Sequence, residues 1–189
     1  MAHNTQQDLG YDVESYFDLL RGGVLQHDDR VELLDGVIVA SPPQLPLHAA
    51  VIMRVDSALR AAVGDRVSVR VQLPLLAGPR SVPEPDVALV AGRPADYDVN
   101  HPTRAVLVVE IADSSLPQDR LSKARIYAGC DTPEYWIVNL RDRRLEIRTE
   151  PDRRARVYAS LHVATMGDVV ELVALRGARV AVADLLPRY

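Results

Sequence analysis

Two short, Val-rich runs, each bordered by a carboxylate, constrain this chain most. Val87-Ala88-Leu89-Val90 follows Pro85-Asp86, and Ala105-Val106-Leu107-Val108-Val109 leads into Glu110. Both read as buried strands, because they are short, β-branched and bounded by turn-forming residues. A carboxylate at the mouth of a buried strand is costly unless it is paired or bound to a cation. With Lys123 on the helix expected next, the two acids suggest a divalent-cation site for phosphodiester chemistry. Each residue also has a plainer reading. Asp86 could open a turn. Lys123, four residues after Asp119, has the spacing of a helix-surface ion pair.

A chain of 189 residues can bury one good core, and one domain is expected over residues 1–189, with 1–10 frayed. The hydrophobic and charged fractions, 48% and 25%, suit a globular protein. Cys130 is the only cysteine, which excludes a disulfide framework and a cysteine zinc cluster. The polar start Met1 to Gly10 lacks a signal-peptide layout, and no apolar run reaches membrane-spanning length. A cytoplasmic setting without a membrane partner is therefore expected. The net charge of −4 argues against a protein that coats nucleic acid generally, though not against a nuclease with local positive charge. The basic clusters Arg141-Asp142-Arg143-Arg144 and Arg153-Arg154-Ala155-Arg156 read as solvated hairpin tips.

Taken in order, Tyr11 to Leu20 has helical spacing and Arg21-Gly22-Gly23 stops it. Val31 to Val39 reads as a hairpin turning at Asp35-Gly36, and Ser41-Pro42-Pro43 breaks it. Leu47 to Val63 is an amphipathic helix and Val67 to Leu73 an alternating strand. After the two acid-bordered strands, Pro117 to Ala128 is predicted helical, with Gly129 past its end. Glu134 to Val138 is a further strand. Leu145 to Ile147 and Val157-Tyr158 form a hairpin, and Val169 to Leu186 holds short strands or a final turn. The order predicts an α/β or α+β fold, a mixed sheet flanked by helices.

Hydrolysing a phosphodiester needs hydroxide at neutral pH and neutralised charge in the transition state. Mg²⁺ held by one or two carboxylates supplies both, and a lysine can orient the water. Asp86 and Glu110 are the candidate ligands, with the carbonyl of Ile111 as a further donor. Tyr127 and Trp136 read as core, Ser114 and Ser115 as helix caps, and Glu134 as a strand start. No hydrolase elbow or phosphate-binding glycine loop is present.

The ordered set Glu32-Leu33-Leu34-Asp35-Gly36, His48, Pro85-Asp86-Val87, Val109-Glu110-Ile111, Asp119, Lys123, Tyr127 and Glu134-Tyr135-Trp136-Ile137-Val138 resembles the Uma2 family of restriction endonuclease-like proteins, within the PD-(D/E)XK nuclease superfamily. The resemblance spans roughly residues 11 to 185. It implies a restriction-endonuclease-like core, Asp86 and Glu110 as ligands of Mg²⁺ or Mn²⁺, and a lysine moved from the usual place, here Ala112, to Lys123 in the next helix. It places Glu32 and His48 in the same cleft as auxiliary groups. It leaves Asp113 open, as an extra ligand or a helix-capping loop acid. DNA is the implied substrate, and a homodimer follows by analogy, two sites cutting two strands. The alternatives are a nuclease fold kept as an inactive DNA-binding or oligomeric module, and a phosphoesterase acting on a smaller substrate.

Overall fold

The computed structural model describes residues 10–26, 28–41 and 43–187. Most of the expected frayed start, and Pro42 in the expected break, lie outside them. Helix α1 (Val13–Arg21) is capped by Asp12, whose carboxylate accepts from Ser15 N–H. The hairpin of β1 (Val31–Leu34) and β2 (Val37–Ala40) turns where expected, with Asp35 at φ 49° and Gly36 at φ 86°. Two successive positive φ values make the tight turn that Asp-Gly favours. Helix α2 spans Pro46–Val63.

A six-stranded mixed sheet forms the centre, in the order β3-β4-β5-β6-β7-β8. Its strands are β3 (Ser68–Val71), β4 (Val87–Val90), β5 (Leu107–Ala112), β6 (Glu134–Asn139), β7 (Arg144–Asp152) and β8 (Val157–Ala164). Only β5 and β6 are parallel; the other neighbours are antiparallel. The parallel pair is joined by a helical crossover over residues 116–129, as parallel strands require. It comprises α3 (Leu116–Gln118), a π-turn (Asp119–Lys123) and α4 (Ala124–Gly129). Strands β9 (Val169–Glu171) and β10 (Arg179–Ala181) pair separately, and α5 (Val182–Leu185) follows.

Side-chain alternation divides the core. Val87, Leu89, Leu107, Val109, Ile111 and Trp136 face Val51, Val55 and Leu59 of α2 and the tail residues Val180, Val182 and Leu185. Ala88, Val90, Val108, Ala112, Tyr135 and Ile137 face Leu116, Ala124 and Tyr127 of the crossover. Both strands of interest are buried on both faces, which explains their unbroken apolar runs.

Several expectations shift by a residue or two. The predicted strand Val67 to Leu73 ends at Val71, because Gln72 takes a positive φ of 50°. Glu110 lies inside β5, which continues to Ala112, rather than closing it. Gly129 is the last residue of α4 rather than the one past it. Both basic clusters fall at turns, but they are not simply solvated: Arg144 reaches Asp142 and Glu146, and Arg156 pairs with Asp35 at 2.6 Å. Among the described residues, no helix is long and apolar enough to cross a membrane.

Candidate active site

The geometry starts from strand register. Val87 of β4 pairs with Val109 of β5. Continued one residue past the ladder, that register sets Asp86 opposite Glu110, on the face that carries Ala88 and Val108. Both acids line a cavity of about 670 Å³ walled by the β1–β2 hairpin, the start of α2 and the crossover.

Glu110 is buried, and its Oε1 accepts from Lys123 Nζ at 3.0 Å and from the Tyr127 hydroxyl at 2.7 Å. Lys123 Nζ also lies 3.1 Å from Glu32 Oε1, which accepts the Glu84 N–H at 2.6 Å. The surface pair suggested by Asp119 and Lys123 is therefore not formed: both residues are buried and line the cavity. Asp86 Oδ2 accepts the Ile111 N–H at 2.8 Å and lies 3.3 Å from His48 Nε2. His48 Nε2 is also 2.9 Å from the Ile111 carbonyl, so this histidine ties α2 to the end of β5. Gln72 Nε2 donates to Asp86 Oδ1 at 3.3 Å. Asp113, by contrast, is half exposed at the rim, 3.6 Å from Arg141.

Ser115 does not cap backbone. Its hydroxyl donates to Asp119 Oδ2 at 2.7 Å. Glu134 begins β6 as expected, accepting from Trp136 Nε1 at 2.7 Å and Val173 N–H at 2.9 Å. Tyr127 and Trp136 are fully buried, but the Tyr127 hydroxyl also donates to Glu110.

The electrostatics follow from crowding acids around one ammonium. Burial pushes Glu110 well above the usual carboxyl range; Lys123 opposes this, and Asp86, Asp119 and Glu32 add to it. Burial likewise pushes Asp119 up to about 6, against Lys123 and the Ser115 hydroxyl. Burial disfavours the charge on Lys123, but Glu110, Glu32 and Asp119 outweigh it and raise the group above its ordinary value. The hydrogen bond to Asp86 raises His48, against burial.

Glu32, Glu84, Asp86, Glu110 and Asp119 thus share a cavity with Lys123 and His48. Among the described residues, no three His, Cys, Asp or Glu side chains form a ready-made metal-ligand group. The donor set nevertheless fits a hard cation that keeps most of its waters: carboxylate oxygens from β5 and from the residue just before β4, and a carbonyl with a second lone pair. Acids raised by burial and by one another are those a cation would return to the charged form.

Sequence reasoning passed over three residues here: Tyr127 as a hydrogen-bond donor to Glu110, Asp119 as a buried acid, and Glu84. For the first two the sequence offered spacing alone. Of 22 Lys and Arg residues only Lys123 is lysine, and Asp119 and Tyr127 lie four residues to either side of it.

The model of the family described as "Uma2: Putative restriction endonuclease" matches residues 13–183. The chain belongs to the Uma2 family. No curated protein matches it. Among solved structures, this Uma2 chain is similar to "a putative nuclease belonging to DUF820 from Anabaena variabilis ATCC 29413", with a TM-score of 0.71 and 14% identity over 93% of this chain and 97% of that one. At that identity the likeness is one of fold, and the mixed sheet flanked by helices is the restriction-endonuclease-like core expected of Uma2.

Proposed function

We propose that this Uma2 protein is a metal-dependent DNA endonuclease, with Asp86, Glu110 and the Ile111 carbonyl holding Mg²⁺ or Mn²⁺. The observation that carries the reading is that Asp86, just before β4, and Glu110, within β5, line one cavity beside a buried lysine. Once bound, such a cation supplies charge neutralisation at the phosphate and acidifies water. The protein's own groups do the rest. The Lys123 ammonium, fixed by Glu110 and Glu32, keeps its third N–H to orient the attacking water. The Tyr127 hydroxyl fixes one oxygen of Glu110. His48 and the Ile111 N–H hold Asp86, so that neither acid needs to reorganise when substrate arrives.

The test is cleavage of plasmid DNA with added Mg²⁺ or Mn²⁺. Asp86→Ala and Glu110→Ala are each expected to abolish it, and undiminished metal-dependent cleavage by either variant would sink the mechanism. One observation favours a second reading, a nuclease fold retained for binding alone: Glu110 Oε1 is already satisfied twice by protein donors. That reading expects no binding of either cation in a calorimetric titration.

A further inference from the structure

The segment that carries Lys123 is not ordinary helix. Asp119–Lys123 winds as a π-turn, the Ala124 N–H donating to the Asp119 carbonyl five residues back. Such turns are rare and recur at functional sites, and something outside the helix must favour them. Here two groups do so. From β6, the buried Tyr135 hydroxyl donates to the same Asp119 carbonyl at 3.0 Å. From β7, Glu146 takes a two-pronged grip on Arg120: Arg120 Nε donates to Oε2 at 3.0 Å and Nη2 donates to Oε1.

Arg120 lies between Asp119 and Lys123 in sequence but does not line the cavity that they line. The π-turn therefore presents two groups to the cavity and is anchored on its other side by the third. The Glu146 side chain is only 2% exposed. It also accepts from Asn139 Nδ2 at 3.0 Å and from Arg144 Nε at 3.3 Å. A carboxylate this deep is costly to assemble, and the proposed chemistry uses neither it nor its partners. Its link to the cavity runs through Arg120.

We propose that Glu146 is a positioning residue: acting through Arg120, it fixes the π-turn that presents Lys123 to Glu110 and Glu32. The consequence for cleavage rests on the endonuclease reading; the placement of Lys123 does not. Because Lys123 is the only lysine, amine acylation followed by peptide mass spectrometry reports a single ε-amine.

In Glu146→Gln and in Arg120→Gln, well below their melting temperatures, Lys123 is expected to be acylated about tenfold faster than in the wild type, since reactivity tracks the open population. The double variant is expected to be no worse than either single one, because both remove the same link. For DNA cleavage, kcat falls by about ten- to a hundredfold while KM is unchanged. Arg148→Gln removes a longer contact to the same carboxylate, at 3.9 Å, and is expected to leave Lys123 protected. Equal exposure of Lys123 in that variant would make the effect a general loosening and overturn the proposal. Should Glu146→Gln fail to fold, Arg120→Gln decides, because it leaves Glu146 with Asn139 and Arg144. A folded Arg120→Gln whose Lys123 is as protected as in the wild type overturns the proposal. A wild-type chain that cuts no DNA counts against the nuclease reading only, and the acylation comparison still decides this one.

Discussion

Lys123 is a lysine in a chain that otherwise uses arginine for every fixed positive charge. An ammonium is compact and can share its protons between Glu110 and Glu32, whereas a planar guanidinium needs more room and a flat partner. Removing the charge strands buried acids. Lys123→Met is therefore expected to cost about 3–5 kcal/mol, a fall in Tm of roughly 10 °C for a chain of this size, measured by calorimetry in chelator. Adding Glu110→Gln to Lys123→Met should recover part of the loss, and Lys123→Arg should not restore cleavage. At this scale the burial of Asp86 and Glu110 beside one cavity was legible, because acids bordering Val-rich runs have few structural excuses. Asp119 and Tyr127 were not. A spacing of four residues looks the same on a solvated helix face as on a buried one, and only packing of the crossover against the sheet separates the two.

Among the elements, the Asp35-Gly36 hairpin and the apolar strands followed directly from local chemistry. The π-turn did not, since its buried residues keep a spacing that an α-helix also allows. Nor was Glu146 legible as buried, because it lies in a strand with arginines close by in sequence and reads as a charged edge. Its environment makes a pH prediction. Burial opposes its charge, but the hydrogen bonds from Arg120 and Asn139 outweigh this and hold the carboxyl down to about 2, from an ordinary 4.5. A carboxyl depressed in the folded state binds fewer protons there than in the unfolded chain. Its contribution is present above pH 4.5 and disappears as the pH falls from 4.5 toward 2. Urea midpoints should drop across that window, and Glu146→Gln, less stable at neutral pH, should show a flatter acid limb. Parallel curves for the two proteins would refute this.

For the whole molecule, the class of fold was readable from the order of strands and helices, whereas the single parallel pair at the centre of the sheet was not, because register and direction are set by long-range pairing. The cavity draws its acids from the β1–β2 hairpin, the loop before β4, β5 and the crossover, so a cation bound there would tie these parts together. With Mg²⁺ or Mn²⁺ at a hundredfold excess over its Kd, the fold is expected to gain about 2.7 kcal/mol, a rise in Tm of roughly 5–10 °C that Glu110→Ala removes. The solitary buried lysine offers another view of the same event. A protease specific for lysine has one bond to cut, between Lys123 and Ala124, and the native fold shields it. Digestion would therefore yield two fragments and no ladder, at a pace set by how often the crossover comes away from the sheet.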